Sequence, residues 1–72
     1  MIPVGSLVKF TWWSSYKAPS VLEDSFGRPS WHEIFPGDTG VVICADAGES
    51  VAVLFSRIDT LLKIHQSMLE KI

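Results

Sequence analysis

Apolar residues recur at every second position in separate stretches of the chain, and a period of two marks half-buried β-strands. In Ser6–Trp13, Val8, Phe10 and Trp12 alternate with Leu7, Lys9, Thr11 and Trp13. The first set is assigned to a core and Trp13 to the opposite side. Thr39–Ala45 and Ser50–Ser56 flank the reversal Asp46-Ala47-Gly48-Glu49 and read as a hairpin with Val42, Cys44, Val51, Val53 and Phe55 inward. Thr60–His65 is a further strand, with Leu62 and Ile64 inward. Pro3-Val4-Gly5, Pro36-Gly37-Asp38 and Arg57-Ile58-Asp59 supply turn chemistry between these runs. Gly40, inside a strand, reads as a bulge or sharp bend.

The tail has two readings. Apolar residues at positions 61, 64, 68, 69 and 72 fit a helix over Ile58–Ile72. The preferred reading is a strand, one 3₁₀ turn at Ser67–Leu69 and a closing strand at Glu70–Ile72. Four strands would leave an open edge, which a terminal strand covers.

Between Ser14 and Phe35 the alternation stops and Ser, Pro and Gly recur. Structureless loops of this length are uncommon in compact domains. Tyr16, Val21, Leu22, Phe26, Trp31, Ile34 and Phe35 are too apolar to stay solvated. A subsidiary hairpin is therefore placed here, with Val21–Asp24 returning as Trp31–Phe35 around Phe26-Gly27-Arg28-Pro29.

Length and charge narrow the classes. Seventy-two residues make a single domain (1–72) near the lower size limit for a core without staples. The one cysteine, Cys44, permits no internal disulfide and is expected to be a buried, inert thiol. Net charge is −2, and the six basic residues are dispersed rather than gathered into a stripe, which disfavours DNA or RNA as a general ligand. The N-terminus has no signal-peptide pattern, and no apolar run approaches the roughly 20 residues that span a bilayer. A soluble, cytoplasmic protein is expected.

Catalytic chemistry finds little to work with. The histidines are His32 and His65, and no Ser or Cys stands at a recognisable nucleophile–base–carboxylate spacing. No ligand spacing for a metal is present, and no cofactor is expected. Gly37-Asp38-Thr39-Gly40 precedes β-branched residues rather than a phosphate-binding helix, so Asp38 reads as a turn residue capping its own backbone. The chain is expected to be no enzyme.

Aromatic residues carry the functional signal. Trp13, Tyr16, Phe26, Arg28, Trp31 and His32 flank or occupy the long loop and are the candidate partner-binding residues. The competing assignment folds this loop over one end of the domain, making the rings a private small core. Base stacking on single strands is a third use of such rings. Val41, Ile43, Leu54 and Leu61 fall on the face away from the core and are candidate self-association residues, which makes a homo-oligomer a second expectation.

The order of strands resembles the SH3-like small barrel, including the KOW domains of translation and transcription factors. The matching residues are Gly5–Phe10, Pro36–Val42, Val51–Phe55 and the ending Met68-Leu69-Glu70-Lys71-Ile72. The resemblance implies an all-β, five-stranded SH3-like barrel with a long loop (14–35) after its first strand. It also implies a groove beside that loop that takes extended peptides. KOW domains that touch RNA carry basic loops, whereas these loops hold Glu23, Asp24, Glu33, Asp46 and Glu49. Small acidic barrels of this kind are similar to proteins of tailed bacteriophages and to the peripheral barrel subunit of photosystem I. The expected function is a non-enzymatic interaction or structural module, such as a phage accessory or virion protein, binding a protein partner through the aromatic loop. The alternative is a KOW-like nucleic-acid-binding barrel.

Overall fold

The computed structural model describes residues 2–45 and 48–72. Among them run β1 (Leu7–Phe10), β2 (Tyr16–Glu23), β3 (Pro29–Ile34), β4 (Thr39–Ala45), β5 (Ser50–Phe55), β6 (Thr60–His65) and β7 (Leu69–Lys71), with a 3₁₀ turn at Gln66–Met68. The fold is all-β. The strands form one antiparallel sheet in the order β3-β2-β6-β5-β4-β1-β7. Its edges are β3 and β7, so the sheet is open. This corrects the expected closed barrel of five strands. Most of the 14–35 segment pairs with itself, because buried or half-buried backbone needs hydrogen-bond partners. That adds two strands, and β2 then joins β6 through Ser20 opposite Leu62.

The period-two runs form where their alternation puts them. Val8 and Phe10 of β1, Val42 of β4, Val51, Val53 and Phe55 of β5, and Leu62 and Ile64 of β6 are all buried. Trp12 packs half-buried against this core, and Trp13 faces away from it. In β6 the intervening Lys63 and His65 are exposed, an alternation that a strand permits and a helix does not. The helix over Ile58–Ile72 does not form among the described residues. Instead His65 caps the 3₁₀ turn by accepting the Ser67 N–H, and Met68 and Leu69 turn inward. The turn begins one residue earlier than expected. β7 then pairs with β1, setting Val8 opposite Lys71 and Phe10 opposite Leu69.

The core also takes two residues from the long connection, Ala18 of β2 and Ile34 of β3. The Tyr16 ring lies 6.5 Å from that of Phe10. The inner side of the β2–β3 hairpin is thus part of the core wall, while its outer side is free.

Gly40 is not a bulge. It sits in register between Val8 and Phe55, buried, and a Cβ there would lie 2.5 Å from the Leu54 carbonyl oxygen. Close packing of backbone on backbone, not a bend, requires the glycine. The bulge falls further along β4. Val42 pairs with Val53 and Cys44 with Ala52, leaving Ile43 as the extra residue. One inserted residue flips the alternation, so Cys44 turns out of the core and is exposed. The expectation of a buried thiol is corrected accordingly. The reversal between β4 and β5 includes Asp46 and Ala47, which lie outside the described residues.

Candidate binding groove on the outer face

The β2–β3 hairpin is organised by its tip. Asp24 Oδ1 accepts the Phe26 and Arg28 N–H groups at 2.8 and 3.0 Å, the Asp24 N–H donates to the Arg28 carbonyl, and Gly27 has φ +74°. An Asx-type turn needs an acceptor side chain at the first position and a left-handed residue near its end, which Asp24 and Gly27 supply. The tip lies where the sequence places it. The register does not: Trp31 pairs with Pro19, and Pro29 with Glu23, rather than Trp31–Phe35 returning along Val21–Asp24. A slip between Pro19 and Glu23 causes the difference. Ser20 fills the gap, its hydroxyl donating to the Leu22 carbonyl at 2.7 Å and accepting the Ser30 N–H at 2.9 Å.

This register separates the candidate partner-binding residues. Ala18 is buried and lies opposite His32, so His32 and Tyr16 belong to the core side of the hairpin. Trp31, opposite Pro19, stands on the outer side and is 62% exposed. Trp13, at the base of the hairpin, is 82% exposed, and Phe26, at its tip, is 80% exposed. With strands rising about 3.3 Å per residue, base and tip lie on the order of 25 Å apart. The six residues therefore do not form one plate. Trp31 stands in mid-hairpin on the outer side, and Phe26 and Arg28 lie at the exposed tip.

Beside that surface lies a groove of about 350 Å³. Pro19, Val21 and Pro29 form its hairpin side, Ala52 and Leu61 its floor, and Cys44 its far wall. Glu23 and Lys63 supply its charge. Of these residues only Leu61 belongs to a candidate site read from the sequence. Prolines inside a loop-like stretch read as punctuation, and only the hairpin register turns them into a wall.

The opposite end of β3 is clamped. Arg57, from the turn after β5, donates from Nε to Asp38 Oδ1 at 2.9 Å and from Nη2 to Asp38 Oδ2 at 2.9 Å. Its Nη2 also donates to the Glu33 carbonyl at 3.1 Å, and its guanidinium lies 5.1 Å from the Phe35 ring centre. Asp38 accepts the Phe35 N–H as well, so the turn-capping role expected of it holds. The Arg57 hydrogen bond, opposed in part by burial and helped by the Phe35 N–H, holds the Asp38 carboxyl below the usual carboxylate range. The base of the hairpin is thereby fixed to the sheet at the Ile34 end of β3.

One constellation was not legible from spacing. Ser67 Oγ lies 2.7 Å from His65 Nδ1, and His65 Nε2 lies 2.9 Å from Glu49 Oε2. Because Nδ1 accepts the Ser67 N–H, the ring proton sits on Nε2 and is donated to Glu49. The order is that of a nucleophile, base and orienting carboxylate. The set stands on the open surface outside the groove, where water screens charge and no enclosed site concentrates it. Its visible work is to cap the 3₁₀ turn and tie it to the chain before β5, a tie that the Gln66 N–H strengthens by donating to the Glu49 carbonyl at 2.9 Å. Among the described residues no group of three His, Cys, Asp or Glu is arranged to hold a metal ion, and no helix is long and apolar enough to cross a membrane.

Comparison with protein-family models, with curated proteins and with solved structures finds no match to this chain.

Proposed function

We propose that the protein is a non-enzymatic interaction module that takes an extended, apolar, proline-containing segment of a partner protein along the outer side of the β2–β3 hairpin. One observation carries this reading: Trp31 stands on the free side of a hairpin whose other side is core, next to a groove walled by Pro19, Val21 and Pro29. A large ring that the fold holds in place but does not bury loses little entropy when a partner covers it. Glu23 and Lys63 give the groove charged groups that can orient a partner segment.

The SH3-like resemblance belongs to this reading. The five strands it requires, β6-β5-β4-β1-β7, are consecutive in the sheet, and the hairpin occupies the position of an enlarged first loop. An accessory or virion role in a tailed bacteriophage is the biological setting that the resemblance favours.

The test is a library of proline-containing peptides screened against the folded chain. Binding is expected to fall by about tenfold or more in Trp31→Ala, as for a central aromatic anchor, with the strand signature in circular dichroism unchanged. Loss of the fold in that variant, or undiminished binding by it, overturns the reading.

A further inference from the structure

β3 is an edge of the sheet, and three hydrogen bonds fix the side to which its backbone groups turn. The Arg28 carbonyl accepts the Asp24 N–H, and the Ser30 N–H donates to the Ser20 hydroxyl, so both residues face β2. The Glu33 carbonyl instead accepts from Arg57 Nη2 and not from Lys17, its neighbour on β2. In an antiparallel pair this sense alternates along the strand. Ser30, His32 and Ile34 therefore face β2, while Pro29, Trp31 and Glu33 face outward. Pro29, without an N–H, and Glu33, its carbonyl held by Arg57, blunt the two ends of that edge. Between them the Pro29 carbonyl, the Trp31 N–H and carbonyl, and the Glu33 N–H stay turned to the edge.

We propose that this edge pairs antiparallel with the same edge of a second copy, about a two-fold axis through Trp31. The hydrogen-bonding groups themselves select the occupant. With Trp31 opposite its own mate, the two Trp31 residues exchange N–H···O bonds, and each Glu33 N–H meets the other copy's Pro29 carbonyl. The donor that Pro29 lacks then falls opposite the acceptor that Arg57 already engages. Every outward group is thereby matched. A shift of two residues one way sets the Trp31 carbonyl against Pro29, which has no N–H. A shift the other way sets the Trp31 N–H against the engaged Glu33 carbonyl. A second copy carries the required gap at the required place, as an isologous contact demands.

The side chains agree with this register. Trp31 is exposed, and the two rings lie side by side on the outer face as a cross-strand aromatic pair. Pro29 falls opposite Glu33 and Ser30 opposite His32 of the second copy, so no like charges face one another. The paired groups are main-chain atoms at the border of the sheet, whereas apart from Pro29 the groove is lined from β2, β4, β5 and β6. The self-association residues read from the sequence lie elsewhere. Val41, Leu54 and Leu61 stand abreast across the sheet, and the bulge shifts Ile43 out of that row. Only the hairpin register makes β3 a border, so the sequence pattern does not mark this contact.

The experiment is sedimentation equilibrium on the full chain across micromolar to sub-millimolar concentrations. A contact of one strand is small, so the wild-type mass is expected to rise from one chain toward two over that range. Glu33→Pro removes the Glu33 N–H and puts a ring in the path of the second strand, while the ladder to β2 loses nothing. It is expected to remain a single chain, and Glu33→Gln, which keeps the N–H, to associate as the wild type does. Trp31→Lys and Trp31→Glu each set like charges together at the axis and are expected to be single chains alone. Their equimolar mixture is expected to associate, because position 31 meets only position 31. That mixture decides the matter if Glu33→Pro fails to fold. A wild type that stays monomeric throughout, a folded Glu33→Pro that associates, or a mixture that does not, overturns the proposal. The mass measurement uses no peptide, and Glu33→Pro is expected to keep peptide binding, so this proposal and that for the groove fail separately.

Discussion

Arg57 grips Asp38 with two parallel hydrogen bonds of 2.9 Å and spends the same guanidinium on the Glu33 carbonyl and the Phe35 ring. Such a fork ties the end of β3 and the turn into β4 to the turn after β5, distant in sequence from both. Fork geometry of this kind suits Arg and not Lys. It fastens the base of the β2–β3 hairpin to the sheet, while β2 itself pairs with β6 beside the groove.

That pair sets an acid limb of stability. The Asp38 carboxyl is held below its usual value chiefly by the Arg57 hydrogen bond, so the unfolded chain binds its proton at higher pH than the native one. The contribution is fully present above the unfolded value of about 3.9 and is lost as pH falls through the lower native value. Thermal midpoints measured from neutral pH downward are expected to drop more steeply below about pH 4 in the wild type than in Asp38→Asn. Asp38→Asn should already be a few degrees less stable at neutral pH, and equal acid slopes in the two proteins would count against the pair.

Gly40→Ala is expected to be among the costliest single-methyl additions in the chain. The added carbon would lie 2.5 Å from the Leu54 carbonyl oxygen and 2.7 Å from Val53 Cγ1, and backbone cannot swing aside as a side chain can. Overpacking of this kind costs about 1–3 kcal/mol. A urea midpoint equal to that of the wild type would show that β4 and β5 part more easily than the register implies.

Strand positions were largely legible, because burial on one face writes a period of two directly into β4, β5 and β6. The hairpin was half legible. Asp24 and Gly27 announce its tip, but the slip between Pro19 and Glu23 depends on Ser20 standing in for backbone, and no periodicity records that. The same blindness displaced Cys44: one extra residue at Ile43 reverses every later side chain of β4, while the sequence on either side still alternates. The candidate site suffered most. His32 and Tyr16 look as available as Trp31 in a list of loop aromatics, and only pairing with Ala18 and Pro19 separates the two sides of the hairpin.

That separation has an energetic consequence. Phe10 and Phe55 are fully buried, and truncating either to Ala is expected to cost about 3–5 kcal/mol, enough to unfold a domain of this size. Trp13→Ala and Phe26→Ala remove rings of equal or greater size that the core does not hold, and each should change stability by no more than about 0.5 kcal/mol. Denaturant titration of the four variants decides the matter. A large loss from Trp13→Ala or Phe26→Ala would return those rings to a private core.

No general affinity for nucleic acid is expected. Lys9 lies opposite Glu70, Lys17 opposite Glu33, and Arg57 is engaged by Asp38, so these basic groups stand beside acids rather than in a stripe. A phosphate-tracking surface must release counterions and weaken with salt. Single-stranded DNA and RNA should show no retardation at low ionic strength; a retarded band that disappears as salt rises would revive the KOW-like alternative.

Cys44 offers a direct check on the bulge that shapes the groove. Without an extra residue at Ile43, continuing the register of Val42 and Val53 would put Val51 opposite Cys44 and turn the thiol inward with it. With the bulge, Cys44 pairs with Ala52 and opens toward solvent in the groove wall. Reactivity of a thiol follows its access to the reagent. An aromatic disulfide reagent is therefore expected to titrate one thiol per chain in the folded protein, at a rate that urea below the unfolding transition barely changes. A thiol that reacts only through the transition would place Cys44 in the core and remove the bulge. The far wall of the groove, and with it the proposed peptide site, would then have to be redrawn.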